Sequence, residues 1–105
     1  MKRQSQENLM RLCAEITRAR PHIAAHSIPV VLMKLQRLAS SLHNRYTAAC
    51  NHAWATTEAY GARTEVLEGK AAELGESLGV AIEHQRDPRG WPLIVKFDGR
   101  EMRVG

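Results

Sequence analysis

Residues 73–104 read ELGESLGVAIEHQRDPRGWPLIVKFDGREMRV, and this stretch has the grammar of helix, turn, strand, turn, strand, turn, strand. Leu74 and Leu78 end a helical stripe, and Gly79 stands where a helix C-terminus favours a residue with positive φ. Val80, Ile82 and His84 then share one face of an extended segment. Asp87-Pro88-Arg89-Gly90 has Asp, Pro and Gly at the positions of a type I turn. From about Leu93, Leu93, Val95 and Phe97 alternate with Ile94 and Lys96, as in a strand covered on one face. Asp98-Gly99 predicts a tight type I′ hairpin, and Arg100 to Val104 form the third strand, with Met102 and Val104 facing in.

Upstream the periodicity becomes helical. Leu9, Leu12, Cys13 and Ile16 recur on one face, so a first helix is predicted from about Ser5 to Ala19, with Pro21 beyond its end. From Ile28 the apolar positions alternate in steps of four and three: Ile28, Leu32, Leu35, Ala39, Leu42, Tyr46, Ala49, Ala53, Thr56, Tyr60. That is a heptad pattern, opened by Ser27 as cap and Pro29 in the first turn. A second stripe follows at Leu67, Ala71, Leu74 and Leu78, interrupted by Gly69. Two architectures fit these stripes: three helices packed on a small antiparallel sheet, or one very long helix that needs a second copy as partner. The expected fold is α+β in a single domain, helical over 1–79 and a three-stranded antiparallel β-meander over 80–105. A homodimer through the heptad stretch is expected with it.

Glu73-Leu74-Gly75, Leu78-Gly79-Val80, Gln85, Asp87-Pro88-Arg89-Gly90 and Leu93 together resemble a tail shared by small proteins of bacteriophages and prophages. Leu35-Gln36-Arg37 and the segment from Leu38 to Asn44 are similar to another part of that pattern. The resemblance covers the C-terminal third and one helix. It implies a phage-type origin and carries over no catalytic residue. Members of that group often have Gly before the turn and an aromatic in the first strand, where this chain has Arg86 and Glu83.

Composition narrows the function classes. The chain has 105 residues, a formal charge of +4 and 25% charged residues, ordinary values for one globular domain. Its polar start, Met1-Lys2-Arg3-Gln4-Ser5, lacks the apolar core of a signal peptide, and Cys13 and Cys50 read as reduced cysteines, so a cytoplasmic protein of a bacterial host is expected. The charge is uneven. Residues 1–46 carry eight Lys/Arg against two acids, residues 47–79 two against five, and the remainder five against four.

No constellation specifies catalysis, a metal or a cofactor. His22 and His26 have the i, i+4 spacing of a metal-binding pair, but prolines bound the segment and no third ligand accompanies them. His43 and His52 are nine residues apart and point in different directions on a helix. Glu83 and His84 are neighbours in a strand and so face opposite sides, which argues against an acid-base dyad. The chain is therefore read as a binding protein rather than an enzyme. A phage accessory protein that inhibits or redirects a host protein, such as a defence factor, would use Trp54, Arg86, Arg89 and Trp91 as partner-binding residues. The alternative is a non-specific nucleic-acid binder, with Arg11, Arg18, Arg20, Lys34, Arg37 and Arg45 on its basic half.

Overall fold

A computed structural model describes the backbone of residues 2–51, 58–87 and 89–104, and the side chains of residues 6–48, 62–87 and 89–104. The chain runs α1 (Lys2–Ala19), α2 (Ser27–Asn51), α3 (Glu58–Ser77), β1 (Ala81–His84), β2 (Leu93–Phe97), β3 (Arg100–Val104). The three strands form one antiparallel sheet in the order β1-β2-β3, an α+β fold with helices first and strands last.

The helical stripes become the core. Ile28, Leu32, Leu35, Ala39 and Leu42 are fully buried and Tyr46 nearly so. From α1, Leu12 and Ile16 meet them, and from α3, Leu67 and Ala71. Of the two architectures open to the sequence, the structure has the folded-back one. In a continuous helix Tyr46 and Glu68 would be about 33 Å apart at 1.5 Å per residue. Instead the Tyr46 hydroxyl donates to Glu68 Oε1 at 2.9 Å, so α3 returns along α2. The heptad positions from Ile28 to Tyr46 are thus buried within one chain. Positions 49, 53, 56 and 60 of that pattern lie outside the described side chains.

The turns follow the residue chemistry. Gly79 has φ of 66°, and two hydrogen bonds close the end of α3: Val80 N–H to the Gly75 carbonyl and Gly79 N–H to the Glu76 carbonyl, each 3.0 Å. This is the paired closure of a Schellman cap, which reverses the chain into β1. Asp98 and Gly99, with φ of 49° and 77°, make the type I′ hairpin. In the resulting register Leu93 pairs with Val104, and Val95 with Met102, so the apolar faces of β2 and β3 coincide. On the outer face Lys96 bridges Glu83 of β1 and Glu101 of β3.

Two glycines of α3 have opposite reasons to be there. At Gly69 an added Cβ meets nothing within 4 Å, whereas at Gly75 it overlaps Ile82 Cγ1 and lies 3.1 Å from the Val80 carbonyl oxygen. Gly75 therefore lets β1 cross close to α3. Gly69→Ala is expected to stabilise the protein by about 0.5–1 kcal/mol through helix propensity. Gly75→Ala is expected to destabilise it by roughly 1–3 kcal/mol through overpacking. Urea unfolding of the two variants checks this, and shifts of the same sign would contradict it.

Candidate functional site

Three surfaces were indicated by the sequence: the hairpin loop around Trp91, the basic helices, and the paired histidines. The structure separates structural from available residues among them. Trp91 leads into β2 from the loop between β1 and β2. That loop is held by Gln85 N–H to the Pro92 carbonyl at 2.9 Å, by Gly90 N–H to the Asp87 carbonyl at 3.0 Å, and by Arg89 N–H to Asp87 Oδ1 at 2.9 Å. The last is an Asx turn, which accounts for an Asp at this position. The loop lies beside the outer flank of α2. Between them is a groove of about 500 Å³, with Ser40, His43 and Asn44 on one wall and Arg89, Trp91 and Pro92 on the other. Ala39 forms part of its lining.

On the far side of Trp91 a second groove of about 330 Å³ runs between α1 and β3, lined by Asn8, Arg11, Glu101, Met102 and Arg103. Trp91 is half-buried and belongs to both grooves. Arg11, Arg89 and Arg103 are exposed around it.

Arg86, expected to join Arg89 on a partner, has a side chain that is 68% exposed and is also bonded within the fold. Its Nε and Nη2 donate to the two oxygens of Glu68 at 3.1 and 2.9 Å. Glu68 is 8% exposed and also accepts from Tyr46, so α2, α3 and the end of β1 meet on one carboxylate. Next to it Arg45 Nε donates to the Thr64 hydroxyl at 3.1 Å. Burial pushes the Glu68 carboxyl up, but the hydrogen bonds from Arg86 and Tyr46 outweigh it and hold the group below its ordinary value. His84 is half-buried beside this cluster, and its Nδ1 is buried without a hydrogen-bond partner among the described residues. Burial lowers its pKa, Glu68 opposes the shift and Arg86 adds to it. Glu83 lies on the opposite, exposed face with Lys96, so the two neighbours form no dyad.

The basic set divides as well. Arg20 is a structural clamp: it donates to the Gly79 carbonyl at 3.0 and 3.2 Å, to the Ala19 carbonyl at 3.0 Å, and pairs with Asp98 at 3.0 Å. Arg45 is likewise engaged inside the fold. Arg11, Arg18, Lys34 and Arg37 are exposed, Arg18 lying 3.8 Å from Glu15. Glu15 also pairs with Arg100, joining α1 to β3. His22 and His26 are exposed, and the described residues contain no group of three side chains able to hold a metal. Trp54, the remaining candidate, lies outside the described residues.

Sequence reading missed the Glu68 cluster. The signal was present: Thr64, Leu67, Glu68 and Ala71 share one i, i+3, i+4, i+7 face, so an acid stands within an apolar stripe. The α2 wall of the larger groove was missed because Ser40, His43 and Asn44 lie off the heptad positions. No protein-family model, no curated protein and no solved structure matches this chain.

The cluster makes stability depend on pH. Glu68 is held below its ordinary value of 4.5 and His84 below 6.5. In each case the unfolded chain takes the proton first as pH falls, so stability is lost on acidification. The His84 contribution is complete above about pH 6.5 and declines below it. His84→Leu removes an unpaired buried nitrogen and is expected to flatten the fall in stability between pH 7.5 and 5.5, measured by urea unfolding at both values. An unchanged slope would contradict that assignment.

Arg86→Met leaves a carboxylate whose side chain is 11% exposed without its cation, whereas Glu68→Gln leaves a guanidinium that is 68% exposed and hydrates. The first is expected to cost about 2–3 kcal/mol and the second less. Equal losses at neutral pH would show that the pair is not asymmetrically buried.

Proposed function

We propose that this chain is a small phage or prophage accessory protein that acts by binding a host protein, inhibiting or redirecting it, in the bacterial cytoplasm. The observation that carries the reading is Trp91, a half-buried indole flanked by two open grooves and by exposed arginines. Tryptophan and arginine are the side chains most often responsible for binding energy at protein interfaces, particularly beside a pocket. The resemblance of the C-terminal segment to phage proteins supports the biological setting. Arg89 and Trp91 are the partner-binding residues of this proposal, together with the groove wall of Ser40, His43 and Asn44. Arg86, also exposed, is bonded to Glu68 as well.

The second reading, non-specific nucleic-acid binding, rests on the exposed Arg11, Arg18, Lys34 and Arg37. It is the weaker one, because Arg20 and Arg45 of that basic set are used inside the fold.

The test is affinity capture from nuclease-treated bacterial lysate with the wild-type chain and two variants. Arg89→Glu changes an exposed residue, and Trp91→Ala removes the indole. Both are expected to lower recovery of the captured host protein about tenfold or more, while circular dichroism shows an intact fold. Capture that both folded variants retain would overturn the proposal. Loss of all captured protein on nuclease treatment would favour the nucleic-acid reading.

A further inference from the structure

We infer that the surface around Trp91 takes an acidic peptide segment of its partner, with one bulky apolar side chain seated in the larger groove. This rests on the binding role proposed for Trp91 and adds the chemistry of what is bound.

The charge around the indole is one-sided. Arg89 stands on the larger groove, and Arg11 and Arg103 on the smaller. None of the three holds an ion pair among the described residues. Among the described residues the one carboxylate lining either groove is Glu101, which is bonded to Lys96 at 3.2 Å. Arg20 pairs with Asp98, Arg86 with Glu68, and Arg18 and Arg100 with Glu15, whereas these three arginines, like Lys34 and Arg37 on α2, have no such acid among the described residues. The Trp91 surface is therefore a place where described arginines converge without their own counter-charges. A partner that brings carboxylates to both sides of the indole completes it, which sets register and speeds encounter.

The larger groove selects for an apolar residue between those acids. The Trp91 ring is its accessible apolar wall, Ala39 and Pro92 being buried, and about 500 Å³ accommodates a Leu-, Met- or Phe-sized side chain. Ser40 and Asn44 stand at the same wall and offer hydrogen-bonding groups to a peptide backbone.

Single-stranded nucleic acid is the other polyanion to consider, and the described aromatic side chains offer it a single accessible ring. Such binding stacks successive bases on several aromatic planes along a basic groove. Here Tyr46 is 3% and Phe97 6% exposed, both in the core, which leaves Trp91 as the accessible ring among the described aromatic side chains.

The experiment selects short random peptides on the immobilised full chain and measures the recovered peptides in solution by fluorescence anisotropy. Fluorescein-labelled oligothymidylate at physiological salt is measured in parallel. The selected peptides are expected to carry Asp or Glu on both sides of one large apolar residue. Their affinity is expected to fall about tenfold or more in Arg89→Glu and in Arg11→Glu/Arg103→Glu, and when their acids are changed to amides. Peptides without acids, peptides whose binding those variants leave intact, or failure to enrich any peptide over the Arg89→Glu protein would overturn the inference. Oligothymidylate binding abolished by the same variants would overturn it in favour of nucleic acid. A host protein captured through Trp91, combined with peptides lacking acids, would leave the binding role standing and end this inference alone.

Discussion

The structure depends on a carboxylate placed between two helices. Glu68 is nearly excluded from solvent, and an ionised acid in that position is tolerated only with partners around it. Tyr46 provides one from α2 and Arg86 two from the chain beyond β1. Apolar stripes alone allow α3 to slide along α2, because leucine and alanine contacts are undirected. A hydroxyl and a guanidinium aimed at two oxygens favour one register. That register brings the loop carrying Arg89 and Trp91 to the flank of α2, which forms the larger groove.

A second polar clamp works where the end of α1, the cap of α3 and the β2–β3 turn meet. Arg20 follows α1 and reaches the carbonyl of Gly79, the capping residue of α3, and the carboxylate of Asp98 in the β2–β3 turn. The carbonyls at a helix end lack intrahelical partners, and a cation placed there satisfies both hydrogen bonding and the helix dipole. Residues 59 and 78 positions distant in sequence are joined through this one side chain. The apolar core accounts for collapse, while these two clamps tie the helices to the sheet at separate points.

Much of this was legible in the sequence because it is local. The type I′ hairpin at Asp98-Gly99, the glycine cap at Gly79, the alternating strand at Leu93 to Phe97 and the buried heptad positions from Ile28 to Tyr46 follow from spacing of one or a few residues. The end of α2 was not legible. The heptad pattern continues through Asn51, and Gly61 and Gly69 both lie inside α3 rather than at its ends. A glycine penalty of about 1 kcal/mol is within what tertiary packing overrides. The charged residues were the least legible. Arg20, Arg45 and Arg86 look like free surface cations by composition, and only long-range neighbours reveal that they are bonded to other parts of the fold. Trp91 was legible as an apolar knob, but the groove beside it depends on outer residues of α2 brought near by the fold-back.

Both the core and the Trp91 surface therefore require that α2 and α3 form a helical hairpin. The most direct measurement is the distance between spin labels on Ser41→Cys and Gly69→Cys, both exposed, in a chain with Cys13 and Cys50 changed to Ala. The hairpin predicts a narrow distribution below about 30 Å, since packed helix axes lie about 8–10 Å apart and the labels add to that. A distribution centred near or above about 42 Å, the span of a continuous helix between those positions at 1.5 Å per residue, would contradict the account.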